Sequence, residues 1–186
     1  MRLINYHKTY LGLILVTFFA MMPLSCRMTP GKENAPSYTP EEEKEMLLKI
    51  NKFLVQKDID LIKKYAERRG WDMEVTETGL FYEIYEQTTG KKTELGMNIR
   101  MNYSLSLLDG TLCYSSEKDG PKEFQLGKSL EISGLEQGVE LMRLGEKARL
   151  ILPPHLAYGL LGDEERIPAR AIVVYEIELL NAGRNG

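Results

Sequence analysis

The 186-residue chain has only two cysteines, Cys26 and Cys113, too few for a disulfide framework and enough for one pairing at most. Cys113 falls inside a strand-like run, where a free cysteine packs as a small hydrophobe. No run of lysines and arginines on the scale of a basic patch is present. Net charge is −3, and the first 25 residues hold Arg2 and Lys8 but no acid, so the remainder stands at −5. That balance excludes nucleic acid as a partner, since phosphate binding needs concentrated positive charge. One long uncharged stretch, Tyr10 to Ser25, is short for a membrane-spanning helix, which needs about 20 apolar residues. Apolar and charged fractions of 43% and 27% are those of a globular protein and exclude wholesale disorder. The length suits one ordinary domain with a short appendage.

Arg2 and Lys8 precede that uncharged stretch, which runs through Leu11-Gly12-Leu13-Ile14-Leu15-Val16 to Leu24-Ser25-Cys26. A positive start, an apolar middle and a small residue before a cut are the layout of an export signal. The segment resembles a bacterial lipoprotein signal, with Pro23 where leucine is usual and Leu24 one place later. The resemblance implies that residues 1–25 are removed and that Cys26 carries a lipid. An uncleaved anchor and ordinary secretion are the alternatives, and each takes the chain out of the cytoplasm. The expected location is the cell envelope, lipid-anchored to the membrane and facing the periplasm or the exterior. Residues 26–39, polar and with few apolar groups, read as a flexible tether.

Residues 40–70 read as a helical arm. Thr39-Pro40-Glu41-Glu42 is a helix start: a capping threonine, proline at the first helical position, and a glutamate able to reach back to the cap. Apolar residues recur at helical spacing at Leu47, Ile50, Phe53 and Leu54, then at Leu61, Ile62 and Tyr65. Polar Gln56-Lys57-Asp58 interrupts this stripe, so Asp58 is expected to cap a second helix. Arg68-Arg69-Gly70 ends the element. Such an arm serves as a dimerisation or client-binding element, including a homodimer through the arm, or packs on its own domain. A single stripe needs one partner surface, which favours packing on its own domain.

From Gly79 the pattern changes to strands, in the region 71–183. Leu80–Tyr85, Asn98–Leu108, Thr111–Tyr114, Phe124–Gly127, Lys147–Leu152 and Ile172–Leu180 are rich in branched and aromatic residues and bounded by turn residues. Leu135, Val139 and Met142 mark one short amphipathic helix. In the last strand Val173, Tyr175, Ile177 and Leu179 alternate against a second face. The expected fold is α+β, an antiparallel sheet wrapping one short helix behind a helical N-terminal arm.

The run Gly134-Leu135-Glu136-Gln137-Gly138-Val139, then Gly145-Glu146-Lys147, Pro153-Pro154, Leu156-Ala157-Tyr158-Gly159, Ile167-Pro168 and Tyr175-Glu176-Ile177-Glu178-Leu179-Leu180 resembles the FKBP family of peptidyl-prolyl cis-trans isomerases. Asn102-Tyr103, Asp109-Gly110 and Ser115-Ser116 fall in the family's order upstream. The signal and arm further resemble the FKBP-type lipoproteins associated with gliding motility and surface secretion in Bacteroidetes-like bacteria. The resemblance implies an isomerase acting on proline-containing protein substrates exported from the cell, with no metal and no cofactor. Tyr158 would aim its hydroxyl at the substrate carbonyl, and the Ile132 backbone amide would be a second donor. Leu135 would floor the pocket. Tyr103, Phe124, Ile167 and Tyr175 would wall it.

Several positions depart from the family pattern. Cys113-Tyr114 stands where phenylalanine followed by aspartate is usual, Lys122 replaces an aromatic and Glu131 a branched residue, and the loop after Tyr158 carries Asp163-Glu164-Glu165-Arg166. A phenol at 114 cannot carry a carboxylate's charge. The expectation is therefore weakened isomerase activity and poor affinity for the family's macrolide inhibitors, with activity raised by Cys113→Phe and Tyr114→Asp together. The competing reading is an FKBP scaffold kept as a non-catalytic binding module or chaperone in a cell-envelope assembly.

Overall fold

The computed structural model describes residues 38–183. The export signal, Cys26 and all but the last two residues of the tether lie outside them. The chain divides into a unit Met1–Lys44 and a unit Glu45–Gly186. Of the first, the described part is the start of helix α1 (Pro40–Arg69). The capping box forms as expected: the Glu42 amide donates to Thr39 Oγ1 at 3.2 Å, and the Thr39 amide donates to Glu42 Oε2 at 2.8 Å.

Asp58 does not open a second helix; α1 continues through it. Neither glycine nor proline interrupts residues 41–69, so polarity alone does not break the backbone ladder. Gln56 bonds Asp60 one turn on at 2.9 Å, and Asp58 instead pairs with Arg170 at 3.1 Å. The helix ends at Gly70, whose φ of +66° suits glycine, while the Trp71 amide reaches back to the Ala66 carbonyl at 3.1 Å. Within the second unit, its later turns pack on the sheet. Ile62, Tyr65 and Ala66 are buried against Phe81, Ile151, Ile172 and Val174, whereas Leu47, Ile50 and Phe53 are exposed.

The sheet is antiparallel throughout, built from β1 (Glu74–Val75), β2 (Phe81–Glu86), β3 (Asn98–Leu107), β4 (Leu112–Ser115), β5 (Lys122–Gln125), β6 (Lys147–Leu152) and β7 (Val173–Gly183). Its order is β1-β2-β6-β7-β3-β4, with β5 paired to the first half of β3. Period-two alternation gives it two buried faces. Phe81, Ile151 and Val174 face α1, while Leu80, Leu150, Leu152, Val173, Tyr175, Ile177 and Leu179 face the main core. A short helix α2 (Ser116–Asp119) follows β4, and α3 (Ser133–Leu141) lies on the main-core side through Leu135 and Val139. Its glycines let it approach closely: a Cβ at Gly138 would meet Leu150 Cδ1 at 2.3 Å. A 3₁₀ turn at Pro154–Leu156 then delivers the chain to Tyr158.

Candidate active site

A pocket of about 270 Å³ opens where β3, β4, β5 and β7 meet the loop after Tyr158, lined by Tyr103, Leu105, Tyr114, Lys122, Tyr158, Asp163, Glu165 and Tyr175. Strand geometry explains the convergence. Tyr103 and Leu105 share one face of β3 at period two, and Leu105 pairs with Tyr175 on one side and Tyr114 on the other. Four of the expected residues, Tyr103, Tyr114, Tyr158 and Tyr175, thus stand together in the wall.

The other five do not line it. Leu135 and Ile167 are buried in the core behind the wall, and Phe124 and Ile132 pack against that core from its margin. Cys113 alternates inward with its strand, is 4% exposed, and sets its thiol 3.6 Å from the Arg166 carbonyl. Burial pushes that thiol up, so it stays protonated. Ile132 precedes the first turn of α3, and its carbonyl accepts from the Leu135 and Glu136 amides.

All four phenols are held neutral. Burial raises Tyr158, with the Tyr175 hydroxyl partly offsetting it as a hydrogen-bond partner. Tyr175, 1% exposed, is raised far more by burial. Burial also raises Tyr103. For Tyr114 the first cause is its hydrogen bond to Asp163, at 2.5 Å. Neutral phenols add hydroxyl donors to the wall.

The charged members of the wall, Lys122, Asp163 and Glu165, stand out in the sequence as departures from the family pattern but are not among the expected site residues. Desolvation raises Asp163, but the Tyr114 hydroxyl and three backbone amides outweigh it and hold the carboxyl at about 2. Those amides are Glu165, Arg166 and Ile167, at 3.0, 2.9 and 2.7 Å from Oδ1. Glu165 also accepts from Tyr114, at 3.4 Å. Lys122 reaches both oxygens of Glu131 at 2.9 Å and lies 5.5 Å from the Tyr103 ring centre. The aromatic-for-lysine and branched-for-glutamate departures therefore form one ion pair. No cluster of three or more metal-ligating side chains occurs among the described residues. What the arrangement offers is a pocket sized for a small ring, with a neutral hydroxyl donor at one wall.

Comparison with known proteins agrees with this geometry. The family pattern described as FKBP-type peptidyl-prolyl cis-trans isomerase matches residues 89–180. Human peptidyl-prolyl cis-trans isomerase FKBP10 is 41% identical over 96 residues, 51% of this chain and 16% of that one, so the chain spans about a sixth of that relative. FK506-binding protein 2 of Yarrowia lipolytica is 35% identical over 109 residues, 58% of this chain and 76% of that one. The crystal structure of FkpA from Escherichia coli shares the fold over 95% of this chain and 82% of its own, with a TM-score of 0.58 at 24% identity. With the sheet, the short helix and the tyrosine-lined pocket in place, the chain belongs to the FKBP-type peptidyl-prolyl cis-trans isomerase family.

Proposed function

We propose that this chain catalyses cis-trans isomerisation of X–Pro bonds in exported proteins. The observation that carries the reading is Tyr158, a neutral phenol in a pocket wall shared with Tyr103, Leu105, Tyr114 and Tyr175 and with the charged Lys122, Asp163 and Glu165. Unaided rotation about the amide faces a barrier of about 18–20 kcal/mol, set by resonance. Resonance places partial charge on the amide oxygen and nitrogen. Seating the amide against Tyr103, Leu105 and Tyr175 removes the water that stabilises this separation and so favours the twisted, less polar state, while Lys122 and Asp163 are engaged by Glu131 and Tyr114. The Tyr158 hydroxyl holds the carbonyl oxygen while the C–N bond turns. The Ile132 amide, which donates to no group among the described residues, is the second donor. Leu135, Ile167 and Phe124 back the wall, and Cys113 makes room for the loop.

Catalysis is tested with the full chain on a proline-limited refolding substrate, alongside Tyr158→Phe. Losing one hydroxyl–carbonyl bond lowers kcat/KM about tenfold. A folded chain that gives no acceleration sinks the enzyme reading and favours a binding module. Export rests on the segment before Cys26; the mass of the mature N-terminal peptide, with or without a lipid on that cysteine, decides it. The exposed Leu47, Ile50 and Phe53 support self-association through the arm, which sedimentation at several concentrations reads directly.

A further inference from the structure

The family pattern places a carboxylate at position 114 of this chain, and Tyr114 cannot carry that charge. Two carboxylates nevertheless stand in the pocket, Asp163 and Glu165. Both come from the opposite side, on the loop after Tyr158; Asp163 Oδ2 accepts the Tyr114 hydroxyl at 2.5 Å, and Glu165 is the weaker partner at 3.4 Å. We propose that Asp163 is the site's resident carboxylate and a positioning residue for catalysis, holding the loop closed on β4 through Tyr114. This assignment rests on the isomerase reading above.

Seven contacts carry it. Asp163 Oδ1 gathers three amides and so shapes the turn from 163 to 167, ending on Ile167, which is 2% exposed in the core behind the wall. Oδ2 ties that turn to Tyr114. Arg166 donates to the Cys113 carbonyl at 2.8 Å and lays its guanidinium 4.8 Å from the Tyr114 ring centre. The Cys113 thiol meets the Arg166 carbonyl at 3.6 Å, a gap that a phenylalanine side chain would overfill. Every residue stitching loop to strand here, Cys113, Tyr114, Asp163, Glu165 and Arg166, is one that departs from the family pattern. Their departures are complementary: a smaller residue admits the loop, and the loop returns the charge that the strand gave up.

This reverses the expectation drawn from the sequence. Tyr114→Asp in the parent sets a further carboxylate against Asp163 and Glu165 and lowers activity. In an Asp163→Asn background the same change restores the charge and raises it. The experiment measures kcat/KM on a Leu-Pro tetrapeptide, and its Kd by NMR titration, for the full-length parent, Asp163→Asn, Tyr114→Asp and the double variant. A charge-assisted bond lost from the site predicts about a tenfold fall for Asp163→Asn and recovery to within about threefold of the parent in the double variant. Asp163→Asn within about twofold of the parent, or a double variant no better than Asp163→Asn, overturns the assignment. If Asp163→Asn does not fold, Tyr114→Phe decides: it keeps the carboxylate and its three amide bonds, loses the tether to Asp163 and the longer 3.4 Å bond to Glu165, and is expected to fall about threefold. Parent-level activity in Tyr114→Phe then overturns the proposal. A parent that binds the peptide without isomerising it refutes the enzyme reading alone, and the same pattern in Kd still judges Asp163. A parent that does neither refutes both.

Discussion

Asp163→Asn also has a stability signature that is independent of catalysis. The folded carboxyl sits at about 2 against an ordinary value of 3.8, so folding favours its charged form. That contribution is fully present above about pH 4 and is lost as pH falls through about 2. A shift of nearly two units corresponds to about 2.5 kcal/mol at most, and partial exposure of the side chain reduces this by solvent screening to ~1 kcal/mol. For a domain of this size that is about 4 °C in Tm. Asparagine keeps the shape and an oxygen for the backbone amides, so the comparison isolates charge. Thermal unfolding of parent and variant, followed by circular dichroism at several pH values, should show a gap of about 4 °C at about pH 6 that closes by about pH 2. Other carboxylates protonate in both proteins and cancel in the difference. A gap of constant size across the range would mean that packing, not charge, had been lost. No gap at neutral pH would mean that the four hydrogen bonds do not favour the ionised carboxyl, and the reasoning fails.

Two further outcomes follow from the packing and the rim. Gly138→Ala drives a methyl to 2.3 Å from Leu150 Cδ1, an overpacking cost of about 1–3 kcal/mol that exceeds the gain in helix propensity of about 1 kcal/mol; urea unfolding should shift to lower midpoint, and a higher one would show that α3 is not pressed on β6. Lys122→Met leaves Glu131 without its partner at the pocket rim, so the ratio of kcat/KM for Lys-Pro over Glu-Pro peptides should rise about threefold, less at high salt. An unchanged ratio would place Glu131 out of the substrate's reach.

Local signals in the sequence were reliable where the physics is local. The capping box at Thr39 and Glu42 uses residues three apart, and both bonds form. Alternation in β7 marked Val173, Tyr175, Ile177 and Leu179 as one face, and all four are in the main core. Asp58 shows where local reading stops. Its polarity suggested a helix break, but its partner, Arg170, is 112 residues away, and that ion pair gives a polar residue its reason to sit mid-helix. The short α2 also passed unnoticed, because it depends on Asp119 folding back to the Ser115 amide at 3.2 Å. In the pocket, motif order found the tyrosines. It could not place Cys113, Leu135 and Ile167 behind the wall rather than in it, since facing depends on register across β3, β4 and β7.

The rim shows why reading departures one position at a time overstates the damage. A lysine brought against the Tyr103 ring with no counter-charge gives up solvation for a weak contact, and a glutamate at 131 alone does the same at the other edge. Together they form a two-pronged ion pair at 2.9 Å with both side chains about three-quarters covered. Likewise a phenol at 114 without Asp163 loses a carboxylate, and Asp163 without a donor at 114 is a partly desolvated charge held only by its own turn. In each set the single change is worse than either complete arrangement, so the members are coupled and their effects do not add. What is exchanged is which chain segment supplies each group, strand or loop. The pocket holds neutral tyrosines beside the carboxylates of Asp163 and Glu165, and an ion pair, Lys122–Glu131, stands at its rim. On the proposed function, selectivity among residues flanking the proline is therefore where this site should differ most from an apolar-rimmed one, more than in the rotation step itself, which that proposal assigns to Tyr158 and to the exclusion of water.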